Sequence, residues 1–483
     1  MADEDEREAR ATRIVATIAR NAEKPGALAA LLEAGVDVVR LNGAHCAAGE
    51  ISRRVALVRR VSRLRRSPTG VLLDLGGPKI RVGALPGAPL SLVNGQTVEL
   101  FPGALSPEAM GGAARLAVTY PALLRDIEPG AEIRLDDGRI RLRVQKRVRR
   151  TLFATVEMGG CVRSGAGVNF PNSELSAPAL TAKDRRDLAE GLEAGVDFVG
   201  LSFVRSPAHI AHLRRLLARV APERRPWVVS KIERKEALAA LDELAAVSDV
   251  LMVARGDLGV EIGLANVPRA QREILAAGRR HGVPVIVATQ MLESMIKDPT
   301  PTRAEVSDVA GAVHDGADAV MLSGETAVGA WPVEAVKTMA EIAREAEVPD
   351  SGFVREDLSR PPAGDFAAVV AHTAAGMARD AHAAAMIVYT ESGRTARLVS
   401  KNPLSIPVLA FTSQERVRQK LTLLRDVTSF RVPETRSVEA LIRAGDAVLS
   451  RLPGLAGAVV VEISGTAHAE GATNTVRVRR LPR

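Results

Sequence analysis

Residues 227–261, WVVSKIERKEALAALDELAAVSDVLMVARGDLGVE, decide the fold. The first apolar run, 227–229, ends in Ser230, Lys231, Ile232 and Glu233. A helical pattern follows, with Leu238, Leu241, Leu244 and Ala245 on one face. A second apolar run, 250–253, gives way to Arg255, Gly256 and Asp257. This is a β-α-β unit whose strands both stop at charged groups, where loops leave the carboxyl edge of a parallel sheet and α/β proteins build their sites. Glu233 and Asp257 are hard oxygen donors suited to Mg²⁺, with Lys231 as a cation beside them. Such a set can stabilise charge on a phosphoryl group or an enolate. The plainer reading is a salt-bridge cluster at strand ends.

Outward from this unit, a short motif repeats: EAGVDVV at 33–39, EAGVDFV at 193–199 and DGADAVM at 315–321. Each copy ends a helix at a glycine and starts a buried strand. With the other apolar runs, strands are expected near 13–18, 36–41, 70–74, 196–202, 227–231, 249–253, 283–288 and 317–322, and most gaps hold an amphipathic helix. Eight such units predict a (β/α)₈ barrel. The strand ends supply Arg40 and Asn42; Asp74, Lys79 and Arg81; Ser202 and Arg205; Lys231 and Glu233; Asp257; Thr289 and Gln290; Ser323 and Glu325. One polar residue past a strand is usually a cap or turn. Seven such ends converging on one mouth read as a site.

The one long gap carries Gly/Pro turns and short alternating runs, with Asp136-Asp137-Gly138 as a turn. It predicts a small β-barrel domain, 83–178, inserted between barrel segments 1–82 and 179–347 as a lid over the mouth; a purely structural insertion is the alternative. After a linker beginning near Val348, an alanine-rich helix over 366–385 and strands near 386–389, 407–411, 429–432, 459–463 and 475–479 predict a doubly wound α/β domain, 348–483. Its first strand runs into Thr390, Ser392, Gly393, Arg394 and Thr395, which suit either an effector phosphate or ordinary helix capping.

The 483 residues are long enough for several cores. The charged start and the lack of a long apolar run argue against a membrane span or signal peptide and for a cytoplasmic protein. Two cysteines, Cys46 and Cys161, are too few for a disulfide framework. The net charge of +8 is spread over scattered arginines, and nine Phe, two Tyr and two Trp leave little to stack bases, so anionic small molecules are expected and nucleic acid is not.

The chain resembles pyruvate kinase in RLN at 40–42, LDLGGPKIR at 73–81, LDDGRI at 135–140, GVNFP at 167–171, LTAKD at 180–184, SKIE at 230–233, VARGDLGVE at 253–261, ATQMLESM at 288–295, PTRAEVSDVA at 301–310, MLSGETAVG at 321–329, SGRTAR at 392–397 and TNTVRV at 473–478. The resemblance covers nearly the whole chain. It implies transfer of a phosphoryl group from phosphoenolpyruvate to ADP, giving pyruvate and ATP in glycolysis. It implies Mg²⁺, with Mn²⁺ as a substitute, on Glu233 and Asp257. Gly256, Asp257 and Thr289 would sit near the substrate carboxylate, Arg40 and Lys231 on the moving phosphoryl group, and Thr289, Ser323 and Glu325 near the proton relay. Arg81 is a catalytic and nucleotide candidate; Asn42, His45 and Asp74 are nucleotide candidates. A sugar-phosphate or nucleotide effector and a homotetramer are implied as well.

Departures from the family pattern are informative. GPEIR is here Gly77-Pro78-Lys79-Ile80-Arg81, the threonine after the aspartate is Leu75, and NFSHG is Asn42-Gly43-Ala44-His45-Cys46. A hydroxyl of the monovalent-cation pocket is missing, and Lys79 can stand in for K⁺. This resembles the potassium-independent branch. IGPAS is Ile18-Ala19-Arg20-Asn21-Ala22, and the Lys-Lys before GVN is Gly165-Ala166. Both lie where nucleotide is expected, so a catalytically weak paralogue acting as a metabolite-binding regulatory protein is the second reading. An aldolase-like Mg²⁺ barrel explains the carboxylates but neither the lid nor the last domain.

Overall fold

The computed structural model describes residues 10–86, 89–105, 114–171, 173–348, 364–402, 404–435, 437–465 and 473–482. Eight parallel strands, Arg13–Thr17, Val38–Asn42, Gly70–Asp74, Phe198–Leu201, Trp227–Ile232, Val250–Ala254, Val285–Ala288 and Ala319–Leu322, close into a barrel. All eight expected strands are present. Alternate side chains point to opposite faces of a strand. Val15, Val38, Leu72, Phe198, Val229, Met252, Ile286 and Met321 therefore fill the barrel, while Ile14, Leu41, Leu73, Val199, Val228 and Val287 pack outward on the helices. The inner core continues out of the barrel's amino-terminal end into Ala371, Leu421 and Leu424, so the last domain plugs that end.

The repeated motif has a physical role there. Asp37, Asp197 and Asp318 each accept the N–H of a neighbouring strand, from Ile14 at 2.8 Å, Val71 at 2.7 Å and Val285 at 2.7 Å. Asp249 does the same for Val228 at 2.8 Å, without the glycine that made the other copies visible. Each carboxylate is matched by a cation: Arg10 at 2.8 Å, Arg59 at 2.7 Å, Lys401 at 2.5 Å and Arg214 at 3.1 Å, in that order for Asp37, Asp197, Asp318 and Asp249. Lys401 comes from the last domain, as does Arg397, which lies 3.7 Å from Asp249, so two of these pins also fasten the domains together.

Three local expectations are corrected. The helix after Glu233 is broken into Lys235–Ala239 and Leu241–Val247 at Ala240, with φ −103° and ψ 25°. The break turns Ala237 inward with Leu241, Leu244 and Ala245 and leaves Leu238 only partly buried. Arg255 to Asp257 do not form a loop but open the helix Arg255–Ile262. The alanine-rich helix stops at Asp380, because His382 reverses the chain at φ 47° and Ala385 enters a sheet; a run of alanines carries no stop signal of its own.

Between the third and fourth barrel strands stands a six-stranded sheet in the order Val168–Asn169, Glu132–Leu135, Ile140–Val148, Thr151–Met158, Thr97–Pro102, Ala114–Val118. A two-stranded ribbon, Gly160–Val162 with Leu90–Leu92, shares its core of Val98, Leu116, Ile133, Leu142 and Phe170. In the turn between Leu135 and Ile140, Asp136, Asp137 and Gly138 all have positive φ, at 50°, 56° and 85°. The last domain is a five-stranded sheet, parallel through Val427–Arg431, Val408–Thr412, Ala385–Tyr389 and Val459–Gly465, with Thr473–Arg480 antiparallel at the edge. Most of the expected linker after Val348 and the charged first nine residues lie outside the described residues. Among the described residues no helix is long and apolar enough to cross a membrane.

Candidate active site

The inward positions that are aliphatic low in the barrel become ionic at its carboxyl mouth. Arg40 donates from Nε and Nη2 to Asp74 Oδ2 at 2.9 and 2.7 Å, and from Nη1 to Thr17 Oγ1 at 2.9 Å. Lys231 Nζ lies 3.3 Å from Asp74 Oδ1 and 2.8 Å from Glu233 Oε1, and donates to Ser202 Oγ at 2.8 Å. Asp74 and Lys231 stand on strands separated by the strand of Gly200. They meet because Gly200 has no side chain: a Cβ there would lie 2.9 Å from Asp74 Oδ1.

Burial works against the charge on Asp74, yet Lys231 and Arg40 hold its carboxyl below the usual range. Burial also disfavours the ammonium of Lys231, but Asp74 and Glu233 outweigh it and raise its pKa. At Glu233 burial wins over Lys231, the charge of Asp257 adds to it, and the carboxyl is pushed up to about 7. Its second oxygen accepts the N–H of Phe203 at 2.6 Å, a residue held at φ 54°.

Glu233 Oε1 and Asp74 Oδ1 are buried and accept no aligned hydrogen bond, and Asp257 makes no side-chain hydrogen bond or ion pair among the described residues. Lys231 Nζ already stands beside the first two, at 2.8 and 3.3 Å, so Asp257 is the carboxylate of the three left without an ion pair among the described residues. Among the described residues no group of three or more His, Cys, Asp or Glu side chains is placed to hold a metal. A pair of carboxylates fits Mg²⁺, which keeps several waters and takes substrate oxygens to complete its shell.

Across the mouth, Gly256 N–H donates to Thr289 Oγ1 at 2.8 Å, and that hydroxyl donates to Ala288 O at 2.6 Å. Thr289 and Gln290 sit at φ 71° and 56°, a conformation that costs non-glycine residues about 1 kcal/mol or more each. Arg255 clamps this turn: Nε and Nη2 reach Thr289 O at 3.1 and 2.8 Å, and Nη1 reaches Asp308 at 2.7 Å. Nothing in the residue pattern distinguishes Arg255 from a solvated strand-end cation. Glu325 is buried and accepts the N–H groups of Ser323 at 2.7 Å and Leu292 at 3.2 Å, joining the last strand end to the loop after Thr289.

A cleft of about 470 Å³ separates the mouth from the lid, with Lys79, Arg81, Asp137, Arg205 and Asp257 in its walls. Arg81 Nη1 donates across to Gly165 O of the lid at 3.0 Å. Lys79 is exposed and makes no ion pair among the described residues; crowding by its surroundings and then the charge of Lys231 hold its ammonium below the ordinary value. Asn42 and His45 lie outside this lining. The Asn42 side chain accepts Ala44 N–H at 3.2 Å, and His45 is exposed and pushed toward its neutral form by desolvation and then Lys79. Asp74, grouped with the nucleotide contacts by sequence, is buried in the ionic layer.

In the last domain, Thr390 Oγ1 accepts Gly393 N–H at 3.0 Å and Ser392 Oγ accepts Arg394 N–H at 3.4 Å. Arg394 pairs with Asp365 at 2.5 Å, and Thr395 Oγ1 lies 2.6 Å from Thr473 Oγ1. The groups expected to receive a phosphate are engaged in a local turn and in contacts with Asp365 and Thr473 of the same domain.

Residues 9–336 match the family described as pyruvate kinase, barrel domain, and residues 368–479 match pyruvate kinase, alpha/beta domain. The chain belongs to the pyruvate kinase family. It is 38% identical to the pyruvate kinase of Methylorubrum extorquens, over 98% of both chains. It is equally identical, at 38%, to that of Mycobacterium tuberculosis, over 97% of this chain and 98% of the relative. A crystal structure of a pyruvate kinase from Cryptosporidium parvum superposes with a TM-score of 0.88 at 30% identity, over 99% of this chain and 98% of that one. Pyruvate kinases are transferases, and this chain is an enzyme of that class.

Proposed function

We propose that this pyruvate kinase moves the phosphoryl group of phosphoenolpyruvate to ADP in glycolysis, with Mg²⁺ or Mn²⁺ and without K⁺. The observation that carries the reading is the ionic layer of Arg40, Asp74, Lys231 and Glu233 beside Asp257, under a lid. Glu233 and Asp257 would hold the metal, which when bound neutralises anionic oxygens of the substrates. Arg40 and Lys231 supply positive charge where a phosphoryl group is transferred, a step that depends mainly on positioning and electrostatics. The N–H groups at the start of the helix Arg255–Ile262 and the Thr289 hydroxyl orient the substrate carboxylate. Thr289, Ser323 and Glu325 lie on the side from which a proton would reach carbon. Arg81 and Lys79 face the cleft that would take the nucleotide; Asn42 and His45 would contribute from outside its lining. Lys79 stands near Asp74 and Asp257 as the built-in cation. The chain would work as three domains, with the barrel divided into 1–82 and 179–347, and as a homotetramer. An effector phosphate at Thr390, Ser392, Gly393, Arg394 and Thr395 would have to displace the hydrogen bonds and the ion pair those residues make within the domain.

The test is pyruvate formation from phosphoenolpyruvate and ADP with Mg²⁺ in sodium and potassium buffers of matched ionic strength, with wild type and Lys79→Glu. Equal turnover of the wild type in both, and an impaired or potassium-dependent variant, is expected. Strong activation of the wild type by potassium removes the role given to Lys79. No turnover in either buffer points to the regulatory paralogue.

A further inference from the structure

Both ends of the helix Arg255–Ile262 are in use. Its first turn presents Gly256 and Asp257 to the mouth, and its last turn is fastened to the lid. Arg134, on the lid strand Glu132–Leu135, donates from Nη1 to Val260 O and from Nε to Glu132 Oε1 at 2.6 Å. Arg234, next to Glu233, pairs through Nη1 with Glu261 Oε1 at 2.6 Å and reaches Ser173 O with Nη2 at 3.4 Å. Ser173 lies on the lid's return to the barrel, where Arg205 takes the carbonyls of Leu175 and Ala177. Arg234 and Glu261 are 4% and 6% exposed, so this pair is an internal fastener and not a solvated contact. Eight helical residues span only about 12 Å and move as a unit. Two residues beyond Arg134, the turn of Asp136 and Asp137 enters the cleft, whose walls also include Asp257.

We propose that Arg134 and the Arg234–Glu261 pair are positioning residues, which hold the turn of Asp136 and Asp137 at a fixed height over Asp257 and so set the width of the cleft that admits the second substrate. The identity of that substrate rests on the proposed phosphoryl transfer; the geometry of the lid does not. A double-label distance measurement reads the geometry directly, with spin labels on Cys161, which is exposed in the lid, and on Glu243→Cys in the barrel; Cys46 is buried. Arg134→Ala is expected to broaden or lengthen the distance distribution, and Arg115→Ala, which removes a lid ion pair to Glu99, to leave it unchanged. In steady-state assays, Arg134→Ala is expected to lower kcat/KM for ADP by about tenfold to a hundredfold while KM for phosphoenolpyruvate stays within about twofold. Arg134→Lys should recover part of that loss. Glu261→Gln should act in the same direction and combine with Arg134→Ala less than additively, because one undone fastener already frees the lid. An unchanged distance distribution in Arg134→Ala overturns the proposal whether or not the enzyme turns over. A changed distribution in a protein without turnover sustains it and sinks the proposed reaction instead.

Discussion

Gly200→Ala is the sharpest test of the ionic layer. The new Cβ would lie 2.9 Å from Asp74 Oδ1, 3.3 Å from Asp74 Cα and 3.4 Å from Asp74 Cγ. An ordinary contact is near 3.5 Å, so the carboxylate must withdraw by about half an ångström. It cannot do so freely, because Arg40 holds one oxygen at 2.7 and 2.9 Å and Lys231 stands 3.3 Å from the other. Overpacking of this kind costs about 1–3 kcal/mol of stability. If a misplacement of about 1 Å costs about a hundredfold in rate, half of it costs about tenfold. The assay is pyruvate formation at saturating and limiting phosphoenolpyruvate, beside thermal unfolding of the same preparation. Gly311→Ala is the control: it lies within the helix Arg303–His314, a Cβ there meets nothing within 4 Å, and the substitution should stabilise by about 0.5–1 kcal/mol. A Gly200→Ala enzyme with wild-type kcat/KM and wild-type melting would refute the claim that the missing side chain is what lets Asp74 and Lys231 meet.

Other outcomes follow from buried charge. Lys401→Met leaves the Asp318 carboxyl at 0% exposure without its 2.5 Å partner, and denaturant unfolding should show a loss of about 3–5 kcal/mol that the double variant with Asp318→Asn largely restores. Burial pushes the Glu261 carboxyl from the ordinary 4.5 up to about 7 in spite of Arg234. A carboxyl that holds its proton more tightly when folded contributes stability below pH 4.5 and loses it as pH rises to 7, so Glu261→Gln should gain on the wild type by about 3 kcal/mol between pH 4.5 and 8. A stability difference that is flat with pH would show that Arg234 fully compensates Glu261.

The barrel is legible in the sequence because each strand is a short aliphatic run and three of them follow a glycine that ends a helix. The charged groups of the mouth are legible as residue types: Arg40, Asp74, Lys231, Glu233 and Asp257 all stand at or just past strand ends, and chemistry that uses side-chain charge leaves that trace. What places them leaves much less. The contact of Asp74 with Lys231 depends on an atom that Gly200 lacks. The Thr289 turn is held by Arg255 through a backbone carbonyl, and the lid by Arg134 through that of Val260, a residue 126 positions away. A carbonyl acceptor has no residue-type signature, so such pairings cannot be read from composition or spacing. Arg205 shows the consequence. By sequence it is one more cation at a strand end, equivalent to Arg40; in the structure Arg40 grips a buried carboxylate in the ionic layer, whereas Arg205 grips the carbonyls of Leu175 and Ala177 and fastens the lid. The two arginines differ in their acceptors, and the acceptors are set by the fold.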